Sequence, residues 1–117
     1  MATHLQTGQE GEALAAAWLR GRGYTLLHQN WRSGRWELDI VAEKQGVLHL
    51  VEVKTLRSNH FGYPEQQVGH KKRQTLAKAA EQYLLQYPQW QRIQFDVLSI
   101  TLVPGQEPEY YLLEDVS

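Results

Sequence analysis

Apolar residues recur along this chain at two spacings, one typical of helices and one typical of strands. Leu14, Ala17, Trp18 and Gly21 predict a first helix that faces a sheet with this stripe. A second stripe predicts a helix that Pro88 ends, and it consists of Leu76, Ala79, Ala80, Tyr83, Leu84 and Tyr87. Strand-forming residues predict five strands, at 24–30, 37–43, 47–54, 91–102 and 110–113.

The predicted elements follow in the order αβββαββ. A central mixed sheet of about five strands, flanked by helices on both faces, is typical of the α/β class. A capping box, with Thr7 as the N-cap and Glu10 three residues later, predicts the start of the first helix. The second helix is expected to begin near 65 or 69, and a turn from Trp31 to Arg35 joins the first two strands.

The second and third predicted strands form a hairpin around Lys44-Gln45-Gly46. A two-residue turn at Gln45-Gly46 sets Asp39 opposite Glu52, and Glu37 opposite Lys54, on one face. The strands are apolar on both sides, which indicates a hairpin covered on both faces. The apolar residues are Ile40, Val51 and Val53 on one side and Val41, Leu48 and Leu50 on the other.

Two facing carboxylates repel each other, so Asp39 beside Glu52 destabilises the sheet locally unless a cation binds between them. Two hard oxygen donors with positions left for water suit Mg²⁺ or Mn²⁺. Lys54 points to the same side and could direct an attacking water or neutralise charge on a phosphate. The pattern therefore indicates metal-assisted phosphodiester hydrolysis. The alternative is a solvated strand end with a surface ion pair worth under about 1 kcal/mol.

Asp39 followed by Glu52-Val53-Lys54 resembles the signature of the PD-(D/E)-x-K nuclease superfamily. About four fifths of the chain is similar to the YraN-like family of bacterial proteins. The matching segments are 8–12, 23–24, 30–32, 37–39, 51–55, 61–62 and 71–73. The family is similar to archaeal Holliday-junction resolvases, so the resemblance implies a restriction-endonuclease-like fold. It also implies that the matching carboxylates bind Mg²⁺ and that the lysine assists the attacking water.

The resemblance also implies that Glu12, on the first helix, completes the metal site. A first-turn carboxylate favoured by the helix dipole is the alternative for this residue. Leu38 stands where the superfamily name has proline, a position without a ligand. Trp36 stands where the YraN-like pattern usually has glycine, and three roles are open for its indole: narrowing access to the site, stacking on a base, or covering the hairpin edge.

Length and composition limit the fold to one domain spanning residues 1–117, because 117 residues with 42% apolar content supply one core. The chain has no cysteine, which excludes disulfides and thiolate metal sites. No apolar run reaches the length of a membrane span, so we expect no membrane insertion and a cytoplasmic location. The histidines lack metal-binding spacing, which predicts surface or rim positions for them, and Asp96 is expected to be a structural acceptor.

The net charge of −1 and the pI near 6.5 are not typical of a dedicated DNA-binding protein. The distribution of charge is more informative, because basic residues gather in a few places. These basic residues could bind phosphate groups or could form an ordinary solvated surface, and the sequence favours neither role. The candidate nucleic-acid-binding residues are Arg32, Arg57, Lys71, Lys72 and Arg73. In the loop between hairpin and second helix, Phe61 and Tyr63 could stack on a nucleotide or pack against the core.

Two functions follow from the sequence. The first is a Mg²⁺-dependent endonuclease acting on structured or branched DNA, with Asp39, Glu52 and Lys54 in the catalytic centre and Glu12 in support. By analogy it acts as a homodimer, because a symmetric substrate needs two cuts. The alternative is a nuclease-fold module without turnover that binds nucleic acid or a protein partner.

Overall fold

The computed structural model describes the backbone of residues 4–57 and 70–116 and the side chains of 9–57 and 75–116. Within these residues, a helix, three strands, a second helix and two strands follow one another. Their bounds are α1 His4–Gly21, β1 Thr25–Ser33, β2 Trp36–Lys44, β3 Val47–Arg57, α2 His70–Gln86, β4 Ile93–Leu102 and β5 Glu109–Leu113. Neither described helix is long and apolar enough to cross a membrane. The earlier start predicted for α2, and the loop with Phe61 and Tyr63, lie outside the described residues.

The strands form one sheet in the order β1-β2-β3-β4-β5. Three neighbouring pairs are antiparallel, and β3 pairs with β4 in parallel. A parallel pair needs a crossover connection, and α2 lies in the segment that joins β3 to β4. The mixed sheet confirms the predicted α/β class.

Each helix covers one face of the sheet, and each face has its own apolar core. The α1 side contains Ile40 and Val51, with Val53 packed against them. The α2 side contains Val41, Leu48, Leu50, Leu76 and Tyr83. These memberships confirm the two sides predicted for the hairpin. They also confirm the predicted stripe of α2, whose six residues all belong to or pack against the second core.

The first helix differs from its prediction in start and orientation. It begins at His4, so Thr7 lies inside the helix and the predicted capping box is wrong. Gly11, Ala15 and Leu19 form its buried row. Of the predicted stripe, Leu14 and Trp18 pack against the core as predicted, whereas Ala17 and Gly21 are exposed. The cause is a close approach at Gly11, where an added Cβ would fall 2.8 Å from the Cβ of Thr55 on β3. Such an approach excludes a side chain and turns this row toward the sheet.

The two hairpin turns are both short. Gln45 and Gly46 have φ values of 53° and 81°, the signature of a type I′ turn, which confirms the predicted two-residue turn. The turn predicted from Trp31 to Arg35 is wrong, because β1 continues to Ser33. Trp31 is buried in the core on the α2 side, and burial of this indole extends the strand. Gly34, with a φ of 59°, and Arg35 make the actual turn.

Candidate functional site

Asp39 and Glu52 lie where β2 and β3 stop pairing with each other. The β2–β3 register runs from Lys44 opposite Val47 to Ile40 opposite Val51, in agreement with the predicted register. Beyond this point β2 continues along β1, and β3 continues along β4. Asp39 and Glu52 are the next residues after the last pair. The divergence opens a space between the two strands at these two carboxylates.

A cleft occupies this space on the α2 side of the sheet. Three carboxylates line it, from Glu37, Asp39 and Glu52. Its apolar lining includes Leu38, Leu50 and Leu76, which are all buried core residues. The structure therefore brings the two predicted metal ligands to one cleft, with their side chains half-buried.

The Asp39 carboxylate is held by a backbone hydrogen bond across the divergence. Val53 donates its N–H to Oδ2 of Asp39 over 2.9 Å. A carboxylate that accepts an N–H from the neighbouring strand has a defined orientation. The side chain thus replaces part of the ladder that β2 and β3 no longer form.

Glu37 does not face Lys54 as predicted. Its Oε2 lies 2.8 Å from Nη2 of Arg32, its partner on β1. The prediction is wrong because it assumed that the β2–β3 ladder continues to this position. Lys54 is exposed on β3 and pairs in register with Ser99 of β4.

Glu12 contacts β1 rather than lining the cleft. Its Oε1 accepts a hydrogen bond from Nδ2 of Asn30 over 3.4 Å. Asn30 has a φ of 54°, which asparagine tolerates better than most residues. The register pairs Gln29–Ile40 and Trp31–Leu38 bracket Asn30 and Asp39, so the partner of Glu12 lies opposite Asp39 on the neighbouring strand. Within the described residues, no group of three or more histidine or acidic side chains could hold a metal ion.

The candidate nucleic-acid-binding residues divide into two groups. Arg32 and Arg57 both form exposed ion pairs, Arg32 with Glu37 and Arg57 with Glu10 at 2.7 Å. The Glu10 carboxylate therefore joins the N-terminal half of α1 to the end of β3 instead of capping the helix. Lys71, Lys72 and Arg73 lie in the first turns of α2, and their side chains are outside the described residues.

Comparison with known proteins matches most of the chain to one family. The profile of Uncharacterised protein family UPF0102 covers residues 11–100. The chain belongs to this family. A UPF0102 protein of Syntrophomonas wolfei is 45% identical over 101 residues, which cover 86% of this chain and 88% of that protein. A UPF0102 protein of Phocaeicola vulgatus is 42% identical over 108 residues, which cover 92% of this chain and 88% of that protein.

A buried polar network in this UPF0102 protein was not predicted. His49 is 6% exposed and Asp96 is fully buried, with 2.7 Å between Nδ1 and Oδ2. The other oxygen of Asp96 accepts from Gln94 Nε2 and from the backbone N–H of Asp115. The surface or rim position predicted for His49 is therefore wrong, whereas Asp96 is the predicted structural acceptor. The alternation of β3 could have placed His49 inward, but its partner comes from β4, 47 residues later in the sequence.

The same network affects a neighbouring tyrosine of the UPF0102 protein. The ring of Tyr24 meets the His49 ring edge-on at 5.1 Å. Burial raises the pKa of Tyr24, and the negative charge of Asp96 raises it further. Tyr24 therefore keeps its proton, and the network joins the residue before β1 to β3, to β4 and to the chain after β5.

Proposed function

We propose that this protein is a metal-dependent endonuclease of the cytoplasm that hydrolyses phosphodiester bonds in structured or branched DNA. The proposal includes a restriction-endonuclease-like fold within the PD-(D/E)-x-K superfamily. Asp39 and Glu52 are the metal ligands, Lys54 directs the attacking water, and Glu12 supports the site. The observation that carries the proposal is that Asp39 and Glu52 line one cleft where β2 and β3 diverge.

The donor set at the cleft fits Mg²⁺ or Mn²⁺. Mg²⁺ is usually held by one or two carboxylates, with waters and substrate phosphate oxygens as the other ligands. Asp39 and Glu52 supply two carboxylates, and the Val53 N–H orients the first of them. A bound divalent ion would activate water and stabilise charge on the phosphate.

Lys54 supplies the positive charge that the carboxylates lack. It lies two residues after Glu52 on the same strand, so both side chains point to one side of the sheet. An ammonium there can donate hydrogen bonds to an attacking water or to a phosphate oxygen. Asn30 positions Glu12 beside β1, within the same end of the domain. In this proposal Glu12 supports the cleft indirectly, through its hydrogen bond with Asn30.

An exposed arginine beside the cleft supports a phosphate-containing substrate. Arg32 is paired with the cleft residue Glu37, and its side chain is 73% exposed. Arg57 lies at the end of β3, and its ion pair with Glu10 of α1 places it on the other face of the sheet. A guanidinium at the position of Arg32 can contact a DNA phosphate beside the cut, and one at the position of Arg57 can contact the DNA backbone farther from it. By analogy with symmetric substrates, a homodimer would supply the two cuts that a four-way junction needs.

A cleavage assay on labelled junctions, flaps and duplexes with Mg²⁺ or Mn²⁺ tests the proposal. We expect the wild type to cut, and Asp39→Asn and Lys54→Ala to lose at least about 100-fold in rate, as expected for removal of a metal ligand or of a charge-stabilising donor. Lys78→Ala is the matched control, because Lys78 is an exposed lysine paired with Glu81 on α2. Intact substrates with both metals, and equal behaviour of wild type and Lys54→Ala, would overturn the proposal.

A binding module without turnover is the second candidate. The observation that favours it is that, among the described residues, no three histidine or acidic side chains are arranged so that they could hold a metal ion together. This function predicts nucleic-acid binding that needs no metal and survives Asp39→Asn. The endonuclease predicts that the same variant loses Mn²⁺ affinity in a calorimetric titration.

A further inference from the structure

The hairpin between β1 and β2 carries an aromatic ring with a cation stacked on it. The guanidinium carbon of Arg35 lies 4.5 Å from the centroid of the Trp36 ring. Arg35 is exposed and Trp36 is half-buried. We propose that the Arg35–Trp36 pair is a stacking site for an unpaired base of the nucleic-acid substrate. This inference rests on the proposed nuclease function.

The position of Trp36 relative to the cleft supports this assignment. Trp36 packs against the core on the α2 side, which also contains the cleft residues Leu38, Leu50 and Leu76. Trp36 and the cleft are therefore on the same face of the sheet. The next residue, Glu37, already lines the cleft.

The distance along β2 matches the spacing of nucleotides. Trp36 precedes Asp39 by three residues in an extended strand, which corresponds to about 10 Å. The rise of about 3.4 Å per base applies to stacked duplex DNA, and an unpaired strand can stretch farther per nucleotide, so about 10 Å spans at most about three nucleotides. A base that stacks at the Arg35–Trp36 pair would therefore lie within about three nucleotides of the phosphate at Asp39.

The hairpin holds the ring in a fixed place. Trp36 pairs with Ser33 across the two-residue turn at Gly34 and Arg35. Arg32 and Glu37 form a second cross-strand contact directly behind it. The Arg35 guanidinium covers a face of this fixed ring, so a base stacks on the planar guanidinium with the indole behind it, and this prearranged stack binds the base with little loss of conformational entropy. Bases in a duplex already stack on each other, so the site selects single-stranded tails, flaps and junction centres.

The chain contains a matched control pair on the opposite face. Arg22 lies over the Trp18 ring at 4.6 Å, which gives the same chemistry as Arg35 over Trp36. Trp18 packs against the α1-side core and stacks on Tyr110 at 5.3 Å. Substitutions at Trp18 and Arg22 therefore report general effects of losing an indole or a guanidinium.

The test measures binding to a duplex with a short single-stranded tail, in EDTA so that no cleavage occurs. The tail carries 2-aminopurine, whose fluorescence falls when it stacks. We expect Trp36→Leu to raise the Kd about 5- to 100-fold, Trp36→Phe to restore most of the affinity, and Trp18→Leu to stay near wild type. Quenching should be strongest within about three nucleotides of the cut and should disappear in Trp36→Leu.

Arg35→Ala keeps the test decisive if Trp36→Leu does not fold. We expect Arg35→Ala, but not Arg22→Ala, to weaken binding to the tailed duplex more than to a fully paired one. Equal effects at the two tryptophans, or equal losses on paired and tailed DNA, would overturn the inference. Because binding is read without metal, these results differ from the loss of metal-dependent cleavage that would overturn the proposed function.

Discussion

The backbone N–H of Val53 donates to the carboxylate of Asp39 across 2.9 Å, so one side chain links two strands at the point where they separate. This contact gives Asp39 a structural task in addition to its proposed role as a metal ligand. The two tasks depend on different properties of the carboxylate. The hydrogen bond from Val53 needs only one acceptor oxygen, whereas a metal ion also needs the negative charge.

Two substitutions of Asp39 should therefore separate stability from metal binding. Asp39→Asn keeps an acceptor oxygen and should change the free energy of unfolding by less than about 0.5 kcal/mol, whereas Asp39→Ala should lower it by about 1–2 kcal/mol. Both should lose Mn²⁺ binding. Urea unfolding and calorimetric titration measure the two properties, and retained Mn²⁺ affinity in Asp39→Asn would count against a metal site here.

Gly11→Ala should destabilise the protein because the new methyl group meets Thr55. Overpacking of this kind costs about 1–3 kcal/mol. Gly21→Ala is the control on the same helix, since an added Cβ there meets nothing within 4 Å. We expect that variant to be neutral or slightly more stable in thermal unfolding. Similar melting temperatures for the two variants would contradict the close packing of α1 on β3.

Asp96→Ala should be among the most destabilising single changes in this protein. It removes the acceptor for His49, Gln94 and the Asp115 N–H, and it leaves the buried His49 ring without this carboxylate. The expected loss is about 3–5 kcal/mol. Glu10→Gln is the control, because its exposed ion pair with Arg57 should contribute at most about 1 kcal/mol. Denaturant unfolding compares the two, and equal losses would refute the structural importance of the buried network.

The stability of the protein should fall at high pH through Tyr83. Burial, with a smaller effect of Tyr87, raises the pKa of Tyr83 from 10.0 to about 12. The folded protein holds this proton more tightly than the unfolded chain does. Its contribution is therefore complete below pH 10 and is lost as the pH rises to about 12. Unfolding free energies measured across this range should decline less steeply in Tyr83→Phe, and an unchanged slope would contradict the assignment.

Local patterns predicted the elements that depend on neighbours in the sequence. The stripe on α2 and the turn at Gln45-Gly46 follow from side-chain spacing and from backbone preferences of individual residues. The register that brings Asp39 and Glu52 together followed from the turn alone. These features required no knowledge of the rest of the chain.

Features set by distant contacts could not be predicted in this way. The orientation of α1 depends on the close approach of Gly11 to Thr55, which spacing within the helix does not reveal. The partner of Glu37 is Arg32 because the hairpin ladder ends at Ile40. The burial of His49 depends on a carboxylate from β4. In each case the contact that fixes the structure is made by a residue of another helix or strand.

The parallel pairing of β3 with β4 also bears on how the protein is made. Glu52 and Lys54 lie beside Val97 and Ser99, which leave the ribosome long after β3 itself. Closing so large a loop is slow, and an unpaired strand end invites association with other chains. During synthesis, the part of β3 that carries both candidate residues thus lacks its parallel partner strand until β4 has also emerged.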